Sequence, residues 1–173
     1  MSQIAPHFLQ RPGRYVFQVG LATVTLFLAL WLEHFLIGAE AVGALLIGAI
    51  ASTAFILFVS PHRPAAMASR VLGGHGWALV VGSLVALVAH AQFPGGWQGS
   101  SPWLFSLYAA VTVGLSILAM AATNTEHAPG AGTALAFAGH GFDWTLIVFI
   151  ASSVLILVVI HQLLRRHLKD LYQ

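Results

Sequence analysis

The stretch Thr123–Phe137, TNTEHAPGAGTALAF, lies directly between two long apolar runs. How it passes between them decides how many times the chain crosses lipid, and so which of its ends share a side. Pro is favoured at the first position of a helix, where its missing N–H would have had no partner anyway. A helix opened by Pro129 points the amides of Gly130, Ala131 and Gly132 out of its start, with little side chain to block an approaching ligand. Such a terminus is a ready site for an anion. His127, just before it, can donate a hydrogen bond or carry a proton, and Glu126 can orient or neutralise that His. The competing reading is an ordinary interfacial loop whose Pro-started helix packs closely through its glycines.

Working outward, the 173 residues are 58% hydrophobic and only 7% charged, with mean hydropathy +0.87. Soluble domains carry about 25% charged residues, so the chain reads as an all-α, polytopic membrane bundle. The net charge of +2 is small, and the basic residues cluster near the ends of apolar runs. That pattern suits anionic lipid headgroups and argues against nucleic acid. The absence of Cys excludes disulfides, iron–sulfur ligation and thiolate chemistry.

Five segments reach the roughly 20 residues needed to cross about 30 Å of hydrocarbon. They are about 15–37, 40–59, 71–91, 103–122 and 142–164, between a polar tail at 1–14 and a cationic, helix-forming tail at 165–173. The first run exceeds the roughly 7–15 residues of a signal-peptide core and reads as a retained span. Trp97 and Trp103, in the turn-rich loop FPGGWQGSSPW, suit a membrane–water interface. Five crossings put the two tails on opposite sides, and the positive-inside rule then favours a cytoplasmic N-terminus. The basic clusters at Arg11/Arg14, Arg63/Arg70 and Arg165/Arg166/Lys169 share a side only if the number of crossings is even. That requires 123–141 to cross as a loop plus a short helix; five crossings is the working expectation.

An ungapped internal repeat sets Ser60–Gly76 over Thr125–Gly141. His62 falls on His127, Pro64 on Pro129, and Gly74-His75-Gly76 on Gly139-His140-Gly141. Broken segments of internal repeats tend to make the substrate site of transporters, so the loops at His62–Pro64 and His127–Pro129 are expected to converge. Arg63 adds a permanent charge there; Arg63 and Arg70 serve equally well as cytoplasmic anchors. His75 and His140 read either as site residues or as interfacial side chains bonded to a carbonyl. Ala78, Gly82, Ala86 and His90 form one small-residue stripe and Ala44, Gly48 and Ser52 another, both suited to close helix packing. Thr112, Ser116 and Thr123 either line a polar path or bond their own helix. Glu33 with His34, Glu40 and Asp143 lie near span ends, where ionisation costs least.

Nine His residues raise the question of metal or haem. Neither a zinc pattern nor a haem-attachment pattern appears, and no nucleophile elbow is present. Bis-His haem on His90 and His161 is the one geometry left open. The expectation is therefore no enzyme, no metal and no cofactor.

Two quoted segments resemble the HPP family of integral membrane proteins. FVSPHRPAAMASRVLGGH is similar to its Ser-Pro…Pro-Arg…Gly-Gly-His segment, and AMAATNTEHAPGAGTALA to its His-Pro-Pro-Ala-Gly-Ala-Thr-Ala signature. The likeness covers roughly 43–159. Ala128 replaces the middle Pro, and Gly130-Ala131-Gly132 stands where the family reads Ala-Gly-Ala. The resemblance implies transport of a small anion, nitrite foremost, and carries over His127, Pro129, Ala131 and Thr133 together with Gly73, Gly74 and His75. The expected function is thus a transporter or channel for a small monovalent anion. The expected binding residues are His127, Pro129, Gly130, Ala131, Thr133, His62, Arg63, His75 and His140, with Glu126 and His127 as a proton relay. Expected partners are the anion, membrane lipid and further copies of the chain in a homo-oligomer; for a bacterial source the place is the inner membrane. The alternatives are a haem- or metal-binding membrane protein and a non-catalytic subunit of a membrane complex.

Overall fold

The computed structural model describes residues 12–37, 44–92 and 102–171. The tail up to Arg11, Glu40, the loop around Trp97, the last two residues and the side chains of Glu33 and His34 lie outside the described residues. The helices are α1 Pro12–Ile37, α2 Ala44–Val59, α3 Ala68–Gln92, α4 Pro102–Ala122, α5 Ala128–His140 and α6 Trp144–Leu164. Short 3₁₀ turns stand at Pro64–Ala66 and Arg165–His167. Four of the described helices are long and apolar enough to span a membrane, and α2 is a shorter apolar helix. Around a buried core that includes Phe58, Phe137 and Phe149, the bundle also exposes large apolar side chains, Phe55, Leu84 and Leu118 among them, while Thr53, His75, Thr112, Thr133 and His161 are buried. An apolar outer surface with polar groups inside is expected where lipid is the solvent.

Residues 123–141 take the second course open to them. After Ala122 the chain turns at Asn124, at φ +55°, a conformation Asn tolerates better than most residues. It then enters α5, which packs on α2, α3 and α4 in the middle of the bundle. Its 13 residues rise about 20 Å at 1.5 Å per residue. Gly141 ends the helix at φ +84°, where a side chain would be strained. Asp143 then caps α6, accepting from the Thr145 amide at 2.8 Å.

This extra passage sets the parity. Gln18 of α1 donates to the carbonyls of Phe58 at 2.7 Å and Lys169 at 2.8 Å. Leu171 N–H donates to Val59 O at 2.9 Å, and the Tyr15 hydroxyl to Leu171 O. Arg70 donates to Glu126 at 2.9 Å and Asn124 at 2.7 Å. The start of α1, the α2–α3 turn, the α4–α5 turn and the end of α6 therefore share one end of the bundle. Arg14, Arg63, Arg70, Arg165, Arg166 and Lys169 all lie there, and no other Lys or Arg occurs among the described residues. The opposite end holds the Tyr108–Gln92 hydrogen bond and Asp143.

The C-terminal tail is not the helix expected of it. After one 3₁₀ turn it becomes extended at Leu168 and buries Leu168 and Leu171 in the bundle. Those two apolar side chains gain more from the core than a short cationic helix would gain in water.

Candidate functional site

The two copies of the repeat meet through α3 and α5. Along α3, Ala78, Gly82 and Ala86 are buried, and a Cβ on Gly82 would lie 2.8 Å from Phe137 Cβ. Where α5 begins the approach is tighter. A Cβ on Gly130 would stand 2.8 Å from the carbonyl carbon and oxygen of Gly74, and one on Gly74 would stand 2.5 Å from His127 Cβ. Gly130 N–H is occupied by the His127 carbonyl at 2.9 Å. These glycines thus serve backbone contact between the repeats, which is the competing reading of the Pro-Gly-Ala-Gly run. His127 itself is the N-cap residue of α5, with extended backbone, and Pro129 stands in the first turn.

That contact presses His127 into a buried polar cluster. Its Nε2 lies 3.2 Å from Thr53 Oγ1 on α2, and its Nδ1 lies 3.2 Å from Ala65 O in the first repeat's loop. His75 Nε2 lies 2.9 Å from the same Thr53 oxygen, and His75 Nδ1 lies 2.9 Å from Thr133 Oγ1 on α5. The two rings sit 5.2 Å apart, tilted by 58°. All four side chains are at most 2% exposed. Thr53 is six residues before the end of α2 and His75 seven after the start of α3, which places the cluster about 10 Å in from the basic end.

A cavity of about 270 Å³ opens beside the start of α5, lined by Ile117, Met120, Glu126, His127, Ala128 and Ala131. Glu126 faces it from an exposed position while paired with Arg70. A second, apolar hollow of about 740 Å³ lies between α2 and α5, with Gly48 and Ser52 of the second stripe on its wall.

Of the residues singled out from sequence, His127, Pro129, Gly130, Ala131, Thr133 and His75 come together here. His62 and Arg63 do not. His62 donates through Nε2 to Leu168 O at 3.0 Å, and Arg63 stands 3.9 Å from Asp170, so both hold the folded-back tail. His140 is exposed and bonds Ala136 O within α5 at 3.1 Å. The site thus takes one His from each repeat at unlike positions, His75 from the first and His127 from the second. Thr112 and Ser116 bond carbonyls of their own helix, as does Thr123. Thr53 carried no local signal; it is one Thr on an apolar helix. His90 ends α3 at the far end whereas His161 is in the last turn of α6 at the basic end, so within one chain they do not face each other across a haem. Among the described residues no three His, Asp or Glu side chains gather in a metal-binding group.

The family description "HPP, transmembrane region" matches residues 10–172. The chain belongs to the HPP transmembrane family. The HPP match reaches well beyond the segment that carries the sequence resemblance and takes in the first helix and the folded-back tail. A transmembrane protein of Dictyostelium discoideum is 31% identical over 164 residues, covering 88% of this chain and 53% of its own length. The chain therefore spans about half the length of the curated relative it matches. No solved structure matches the HPP chain.

Proposed function

We propose that this HPP protein carries a small monovalent anion, nitrite first among them, across the membrane through the site at His75 and His127. The observation that carries this reading is the buried His127–Thr53–His75–Thr133 cluster beside a cavity of about 270 Å³. Buried polar groups in a membrane bundle are costly and tend to mark a substrate path. The cavity is small, and it ends at a His and at a carboxylate already neutralised by Arg70. In this geometry the recognition falls to the imidazole and hydroxyl donors, because the amide of Gly130 is already bonded. Ala131 lines the cavity, and Pro129 stands in the first turn of α5 behind it.

An anion drawn inward against an inside-negative potential costs about 2.3 kcal/mol per 100 mV. Uptake then requires a proton with the anion, or passage as the neutral acid, and the His pair is suited to hold that proton. Outward flow needs no such coupling. The test is nitrite flux into proteoliposomes, with chloride, nitrate and formate as competitors. Saturable, nitrite-selective flux lost in His127→Gln supports the reading. Folded protein that moves no small anion refutes it.

A further inference from the structure

We propose that Thr53 is the switch of a proton relay between His75 and His127, which makes the proton the coupling ion of the transport reading on which this inference rests. For two neutral rings, one arrangement of the cluster pairs all four ring nitrogens. Ala65 O can only accept, so His127 carries its proton on Nδ1 and presents a lone pair at Nε2. Thr53 has the one hydroxyl proton in reach of that lone pair and donates it. Thr53 Oγ1 then accepts from His75, which puts the His75 proton on Nε2. His75 Nδ1 accepts in turn from the Thr133 hydroxyl. The chain runs Thr133 to His75 to Thr53 to His127 to Ala65, with every bond pointing the same way. Thr53 Oγ1 also lies 3.0 Å from Ala49 O, and its single proton cannot serve both, so this hydroxyl is the element free to turn.

A proton arriving at His75 Nδ1 forms an N–H bond there. The Nε2–H bond breaks and its proton passes to Thr53 Oγ1, whose own proton passes to His127 Nε2. His75 is left neutral with its proton on Nδ1, Thr53 is again a hydroxyl, and His127 is an imidazolium. One proton has entered and none is lost. Every bond between Thr133 and His127 now points the opposite way, so a second proton cannot follow until the chain resets. A relay of this kind delivers one proton per cycle and does not leak. Among the elements packed around it, α2 carries no titratable side chain, α4 only Tyr108 at the far end, and α5 only His140 at the far end. Glu126 and Arg70 neutralise each other at 2.9 Å, and His161 of α6 lies at the basic end.

The test is ¹⁵N-histidine NMR on the full chain in detergent at pH 7, paired with internal-pH recording in nitrite-loaded proteoliposomes. The proposal expects His127 protonated on Nδ1 and His75 on Nε2. In Thr53→Val the His75 tautomer should shift and the protons moved per nitrite should fall at least about ten-fold; Thr53→Ser should restore both. Nitrite flux that continues in Thr53→Val without protons also supports the relay. A His127 proton on Nε2, or an unchanged proton-to-nitrite ratio in Thr53→Val, overturns it. If the wild type moves no nitrite while its tautomers are those assigned, the transport reading falls and the relay stands.

Discussion

His75 and His127 stand at unlike positions of the repeat, yet their rings lie 5.2 Å apart and turn their Nε2 atoms on a single hydroxyl, that of Thr53. The glycines that allow this approach are therefore structural preconditions of the site. Gly130→Ala places a Cβ 2.8 Å from Gly74 backbone, which cannot yield as a side-chain tip can. Overpacking of this kind costs about 1–3 kcal/mol, so a lowered unfolding temperature in detergent is expected. Gly48→Ala is the control, because nothing lies within 4 Å of its added carbon, and it should be neutral or slightly stabilising.

Topology offers a second check. With every described Lys and Arg at one end of the bundle, the positive-inside rule puts that end in the cytoplasm. The chain has no Cys of its own, so single substitutions can be labelled cleanly. Arg14→Cys and Arg166→Cys should react from the same, cytoplasmic side, and Gln92→Cys from the other. Opposite sidedness for positions 14 and 166 would mean an odd number of crossings.

The Arg70 clamp should matter little to stability. Its ion pair with Glu126 is partly exposed, at 24% and 51% for the two side chains, and such pairs contribute about 0–1 kcal/mol. Glu126→Gln should leave the unfolding temperature within a few degrees of wild type. Because Glu126 lines the cavity at His127, its effect should appear instead in the apparent affinity for nitrite.

Much of this was legible in the residues. The apolar runs located α1 to α4 and α6, Pro129 marked the start of α5, and the Gly-rich runs announced close packing. The parity was not, because the 13 residues of α5 are too few to look like a span and are held in place by α2, α3 and α4. The repeat points to His127, which joins the buried cluster, but also to His62, its counterpart, which the folded-back tail draws away through Leu168 and Asp170. Thr53 was invisible because its role comes from two rings on other helices. Only tertiary packing distinguishes it from any Thr that bonds its own helix.

The most direct test is nitrite accumulation in proteoliposomes under an inside-negative potential, with and without an inward proton gradient. Coupled transport through the His pair predicts uptake that requires the gradient and disappears in His127→Gln. Inward nitrite flux against the potential that is indifferent to the proton gradient would contradict it.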